Sequence, residues 1–294
     1  MIRAARTVFA AAAALVLAGA LPALAQESPT LKKIKAAGEI SVGHREASVP
    51  FAYMDQAGKP QGYSIDLCMK IVDEIKKELA MPNLKIKFVP INPQTRIPLI
   101  ANGTIDIECG STTYNLTRAK QVDFLLTTFI TGSKLLVKKG SGIKSIADLN
   151  GKRVSAASGT TNERALVVEL EKSKVKAEVV LVKDHAQGML NLESGRVDAY
   201  TTDDVLLYGM ISTSKDPGQW EVVGDFFSFD PYSLMIPRND SDYRLIATRT
   251  IADLMRSGEM AKIYDKWFNP GPTNIKMPMS LDLKKAFEAQ AIPH

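Results

Sequence analysis

Ile100-Ala101-Asn102-Gly103-Thr104-Ile105-Asp106-Ile107 and Leu192-Glu193-Ser194-Gly195-Arg196-Val197-Asp198-Ala199 share one pattern. An apolar residue is followed three places on by glycine, then by apolar, Asp, apolar. A glycine so placed reads as the C-terminal cap of a helix, and the alternation after it as the start of a strand. Working outward from the first copy, a helix spans about Gln94 to Asn102 and a strand takes Ile105–Ile107. From the second, a helix spans Asp184–Ser194, capped by Asp184, and a strand begins at Val197. The flanks repeat the alternation. Strands are expected at Ile40–Gly43, Leu84–Val89, Leu135–Lys138, Arg153–Ala156, Ala177–Val182 and Tyr232–Pro237. Asp55–Gly58 reads as a hairpin turn. Helices are expected from Ser64, with Cys68, Ile71, Val72, Ile75 and Leu79 on one face, at Thr160–Lys172 and at Ser241–Arg256, with another carrying Ile263, Trp267 and Phe268. Pro270, Pro272 and Pro278 mark an extended tail with a short amphipathic piece. Strands alternating with helices give an α/β class, and the matched junctions give two related lobes.

The chain has 294 residues, long enough for about two domains, each with a full core. Apolar content of 45% with 23% charged residues excludes a disordered chain, and two cysteines exclude a disulfide-stapled miniprotein. Residues 1–25 read as a secretory signal peptide. Arg3 and Arg6 precede an apolar run from Val8 to Leu21, and Ala23-Leu24-Ala25 offers a small-x-small cleavage site. That run falls short of the ~20 residues a bilayer core requires. No cysteine stands near the site to take a lipid, so an untethered periplasmic product is expected. Losing Arg3 and Arg6 lowers the formal charge from +5 to +3, with 35 cations against 32 anions. A nucleic-acid partner is not expected, because Lys and Arg do not cluster with aromatics.

Three histidines (His44, His185, His294) and two unspaced cysteines make a zinc site improbable, and no metal or cofactor is expected. Ser158-Gly159-Thr160-Thr161 is neither a nucleophile elbow nor a phosphate loop. Cys68 and Cys109 would be able to pair in an oxidising compartment, but the place of Cys68 on an apolar helix face favours two buried free thiols.

In open α/β sheets, ligands sit beyond the carboxyl ends of strands. His44-Arg45-Glu46 follows the first strand, and Asn92-Pro93-Gln94-Thr95-Arg96 leads into a helix. Gly110-Ser111-Thr112-Thr113 follows the Ile105–Ile107 strand, with Arg118 beyond. In the second half, Ser158-Gly159-Thr160-Thr161 precedes a helix whose free amides receive an anion. His185 and Asp203-Asp204 follow strands. Each has a plain structural explanation: a lone Arg is ordinarily a solvated cation, and Asp203 would serve as an N-cap. Together they suit an anionic zwitterion, since carboxylates call for Arg forks and an ammonium for a carboxylate.

The chain resembles the periplasmic solute-binding proteins of polar amino-acid ABC importers, and among them the glutamate/aspartate-binding subgroup. The motifs are Val42-Gly43-His44-Arg45-Glu46, Pro50-Phe51-Ala52-Tyr53, Gly62-Tyr63-Ser64-Ile65-Asp66, Arg96-Ile97-Pro98-Leu99, Glu108-Cys109-Gly110-Ser111-Thr112-Thr113, Ser158-Gly159-Thr160-Thr161, Lys183-Asp184-His185 and Asp265-Lys266-Trp267-Phe268. The likeness covers essentially all of the chain after the leader. Ser64 stands where the broad family has an acid, and Pro93 where the subgroup has a serine.

The resemblance implies a two-lobed (Venus-flytrap) fold with two hinge strands. Lobe 1 would be discontinuous, residues 26–130 and 230–294, with lobe 2 from 131 to 229. It implies that Arg118, Ser111, Thr113 and Thr161 hold an α-carboxylate and Asp203 an α-ammonium, while Arg45, Arg96 and His185 hold the side-chain carboxylate. The expected protein is a monomeric, non-enzymatic receptor that delivers L-glutamate or L-aspartate to an inner-membrane ABC permease. The alternatives are a binder of another polar amino acid or a dicarboxylate, an amino-acid dehydratase or lyase on this fold, and a sensor module.

Overall fold

The alternating pattern builds two five-stranded sheets in the computed structural model, which describes residues 28–293. The expected leader at 1–25 lies outside those residues. In the first sheet, Glu39–His44 runs parallel between Lys85–Pro90 and Ile107–Cys109, followed by the antiparallel Asp230–Ile236 and then by Asp123–Thr131. In the second, Arg153–Ala157 runs parallel between Glu178–Val182 and Ala199–Asp203, followed by the antiparallel Ser133–Lys138 and then by Trp220–Val223. The two sheets share one plan.

The matched junctions explain how each plan is fixed. Asp106 accepts from the Ser41 backbone N–H at 2.8 Å, and Asp198 accepts from the Arg153 backbone N–H at 2.8 Å. Each Asp also donates its own N–H back to that same residue, at 2.8 Å in both cases. Gly103 and Gly195 have positive φ, +74° and +68°, where a glycine escapes the clash a Cβ would make. Their carbonyls each accept from a cation, Lys33 at 2.6 Å and Arg153 at 3.0 Å. The repeat seen in sequence is thus the same strand-entry device used twice.

Several elements differ from expectation. The strand expected at Ile105–Ile107 runs two residues later, because its partners are Val42, Gly43 and His44. That shift places Glu108 and Cys109 inside the sheet. The strand Asp123–Thr131 and the helices Pro29–Ala37 and Asp204–Thr213 add to the expected set. The two cysteines are not free: Cys68 and Cys109 form a disulfide. Cys68 does face inward from the helix Tyr63–Glu78, but that face lies over the Ile107–Cys109 strand, with the two Cα atoms 6.1 Å apart.

The first sheet packs on an aromatic core, where Phe51, Tyr63, Phe129, Tyr232, Tyr264 and Phe268 contact one another ring to ring. The second sheet is covered on its two faces by smaller clusters, one around Leu136, Met189 and Tyr200, the other around Val137, Leu149 and Leu166. The chain passes between the sheets at Gly132, and again over residues 224–229. Among the described residues no helix is long and apolar enough to cross a membrane.

Candidate functional site

The carboxyl ends of the parallel strands in both sheets face one narrow cavity. Seven of the eight residues expected from sequence line it: Arg45, Arg96, Ser111 and Thr113 from the first sheet's loops, and Thr161, His185 and Asp203 from the second's. Arg118 does not line it. Buried just behind, it donates to the Thr113 carbonyl at 2.8 Å and to the Gly159 carbonyl at 3.2 Å, and so bridges loops of the two sheets.

Positive charge collects at one end. Arg45 follows the Glu39–His44 strand, and Arg96 opens the helix Arg96–Ala101; both are 2% exposed. Arg96 donates to the Thr112 hydroxyl at 2.7 Å, and that hydroxyl donates to Glu108 at 3.0 Å. Glu108 is a fully buried acid beside them. Burial raises its carboxyl above the usual range, although Arg96, Thr112 and Arg45 pull the other way. Arg45 is pushed down to about 10 by burial and then by Arg96, and remains a cation at neutral pH. Arg118 falls to about 9 from burial, with Arg96 and Arg164 adding to it. Arg45 Nη2, Arg96 Nε and the Ser111 hydroxyl are buried without a hydrogen-bond partner among the described residues. Buried donors left unpaired are costly, so this end calls for an acceptor, and two guanidiniums call for an anion.

His185 closes that end from the second sheet. Its Nδ1 lies 2.9 Å from the Tyr200 hydroxyl. Burial, then Arg45 and Arg96, hold the imidazole well below its ordinary pKa, so the ring is neutral. The Tyr200 ring reaches this place by packing against Gly188 of the helix His185–Glu193, where an added Cβ would lie 2.1 Å from the ring.

The other end is hydroxyl-rich and acidic. Thr113 and Thr161, one from each sheet's loops, have their hydroxyl oxygens 3.0 Å apart. Thr160 caps the helix Thr161–Lys172 by accepting from the Glu163 N–H at 3.0 Å. Asp203 stands at the N-cap position of Asp204–Thr213 but makes no capping bond. Instead it accepts from the Asn162 amide at 2.8 Å and from the Tyr232 hydroxyl, so the plain N-cap explanation does not hold. Burial and then the charge of Asp230 push its carboxyl well above the usual range.

Ser64, the departure from the broad family, donates to the Gly110 carbonyl at 2.7 Å and anchors the Gly110–Thr113 loop. Pro93, the other departure, packs its carbonyl against Gly159 of the opposite loop, next to the 3.2 Å bond from Gln94 to the Ser158 hydroxyl. Sequence reading assigned no role to Asp230, Tyr200 or Asn162, and saw Glu108 only as part of a motif. Of these, Glu108 carried a signal, as a lone acid between apolar strand residues.

A polar cavity between two α/β lobes agrees with the comparisons. Residues 40–270 match the bacterial extracellular solute-binding proteins, family 3. The chain belongs to that family. It is 46% identical over 270 residues to the L-glutamate/L-aspartate-binding protein of Pseudomonas aeruginosa, covering 90% of this chain and 89% of that one. It is 43% identical over 288 residues to the glutamate/aspartate import solute-binding protein of Escherichia coli K12, covering 97% and 95%. Among solved structures, an ancestral arginine-binding protein bound to arginine superposes with a TM-score of 0.70 at 30% identity, over 79% of this chain and 98% of that one. The family member thus has the two-lobed fold expected of it, and its curated relatives are transport proteins.

Proposed function

We propose that this protein is the periplasmic receptor of an ABC importer for L-glutamate and L-aspartate, a monomer that binds the amino acid between its lobes and delivers it to the permease. Residues 1–25 would be the cleaved leader. Lobe 1 would comprise 26–130 and 230–294, lobe 2 the residues 131–229, and the hinge the two passages between the sheets.

The observation that carries the reading is the pair of buried guanidiniums with unpartnered N–H groups lining the same cavity as Asp203. Arg45 and Arg96 carry more positive charge than the one buried acid beside them, Glu108, can offset, which suits a side-chain carboxylate. His185 joins them as a neutral ring: with Nδ1 taken up by the Tyr200 hydroxyl, Nε2 is the nitrogen left for the ligand. Ser111 and the Thr113 and Thr161 segments take the α-carboxylate together with Arg118, which turns to it from the Thr113 and Gly159 carbonyls, and Asp203 takes the α-ammonium. Because these groups come from both lobes, a bound amino acid favours the closed arrangement through contacts that the open one lacks. No bond-making step is assigned to the site, since a dehydratase would need a general acid placed at a leaving group. The curated relatives named for glutamate and aspartate support the same ligands.

Titration calorimetry with glutamate, aspartate, glutamine, asparagine, histidine and succinate tests this reading. Glutamate and aspartate should bind, and differ from each other by only ~1–3 kcal/mol, the worth of one methylene. Arg118→Ala should weaken glutamate markedly, and unchanged affinity would remove the α-carboxylate assignment. Consumption of the bound amino acid would replace the receptor with an enzyme.

A further inference from the structure

A glycine in mid-helix calls for a reason, because it makes a weaker helix than alanine does. The helix Asp204–Thr213 carries one at Gly209. Its φ is not positive, so the course of the backbone does not require it. Space does. A Cβ at this position would lie 2.1 Å from the Val49 carbonyl oxygen, 2.8 Å from the carbonyl carbon and 3.1 Å from the Val49 Cβ, and these are its three nearest atoms.

All three belong to the opposite half of the molecule. The helix itself packs on strands of the second sheet, Ser133–Lys138, Ala199–Asp203 and Trp220–Val223. Val49 belongs to the core cluster of the first sheet, together with Phe51. Earlier in the same helix, Val205 and Leu206 also pack into that cluster. Just past Gly209, Met210 lines a groove together with Met189 on its own side and Val49 and Tyr53 on the other. Two other glycines show what is particular here. Gly188 makes room for Tyr200 within its own half, and Gly159 faces the opposite half but has a φ of +81°, which its turn requires. Only the approach of the other half asks for a glycine at 209.

We propose, resting on the receptor reading above, that Gly209 is a positioning residue for closure: its missing side chain lets the helix Asp204–Thr213 settle on the Val49 carbonyl. It does not act by touching the ligand, since neither Gly209 nor Val49 lines the cavity. Arg45 and Arg96 line that cavity from one half, and His185 and Asp203 from the other, so they reach one small molecule together when the halves have closed. The affinity of a ligand held from both sides scales with the fraction of protein able to close around it. A methyl group at 209 would meet a backbone carbonyl, which cannot turn aside as a flexible side chain does, and would prop the halves apart.

Gly209→Ala, measured beside the wild type, tests this. Calorimetry should show glutamate binding weakened about tenfold or more. Stopped-flow kinetics should place the loss in release, with the rate of capture about unchanged, because the open form still meets the amino acid. Without glutamate, the denaturation midpoint should equal or exceed that of the wild type, since alanine is the better helix former and separated halves relieve the clash. Unchanged affinity overturns the proposal. So does slower capture with unchanged release. A lower midpoint without glutamate, or a variant that does not fold, also overturns it, because Gly209 would then be required by the fold itself. A wild-type protein that gives no binding heat with glutamate overturns the ligand reading instead, a separate failure.

Discussion

The two ends of the cavity are built from opposite chemistry. At one, Arg45 and Arg96 face a single buried counter-charge, Glu108, and carry N–H groups with no partner. At the other, Asp203 and Asp230 each already accept hydroxyl or amide hydrogens. The cationic end is short of acceptors, and Asp203 has no ion-pair partner among the described residues. A cavity polarised in this way orients a zwitterion with a second carboxylate before any shape fit is considered. The two ends also differ in support. The floor of the cationic end, Glu108 to Thr113, is fastened to the helix Tyr63–Glu78 by the Cys68–Cys109 disulfide and by Ser64. The acidic end is held by hydrogen bonds spanning the two lobes.

Removing a guanidinium should break the contrast most severely. Arg45→Ala is expected to cost glutamate about 3–5 kcal/mol, roughly 10²–10³-fold or more in affinity, because a buried carboxylate loses its partner. Glutamine should lose much less, and calorimetry with both ligands would show whether the cationic end alone reads the side chain. Next in size is the fastening of that end. Cys68→Ala with Cys109→Ala opens a covalent loop with a separation of 41 residues. Chemical denaturation should then show a loss of about 3–4 kcal/mol. A midpoint unchanged from the wild type would mean that the surrounding core holds the strand by itself.

At the acidic end, Asp203→Asn should weaken glutamate and glutamine alike by about 1.5–3 kcal/mol, the worth of a hydrogen bond to a charged group. A selective effect on glutamate would mix the two ends and spoil the contrast. The smallest effect belongs to Tyr200→Phe. Losing the hydrogen bond to His185 Nδ1 should cost about 1 kcal/mol in glutamate affinity, roughly fivefold. An unchanged affinity would show that His185 is oriented by packing alone.

Much of this arrangement was legible in the sequence. Arg45, Arg96, Ser111, Thr113, Thr161, His185 and Asp203 each follow or precede a recognisable apolar run, and the rule that ligands collect at strand ends converges them. The paired Gly-x-apolar-Asp junctions marked two lobes of one plan, and Asp106 and Asp198 show why the pattern repeats. What stayed hidden depends on contacts between distant segments. Asp230 has no local signal; the crossing of the chain between the sheets brings it to Thr113 and Thr161. Tyr200 reads as an ordinary strand aromatic until Gly188 makes room for it beneath His185. The disulfide was misjudged because an apolar helix face tells which way Cys68 points, and not which strand lies under it. Arg118 lies beside Thr113 as its place in the sequence suggests, but it bonds the Thr113 and Gly159 carbonyls, and Gly159 comes from a segment far away in the chain.

The most direct test of a cavity sorted by charge is a calorimetric comparison of L-glutamate with L-glutamine, which differ at the side-chain end and share the α-groups. The account predicts that glutamate binds at least about 10²-fold more tightly, since an amide leaves the excess charge of Arg45 and Arg96 without its counter-ion. Equal affinities for the two amino acids would contradict it.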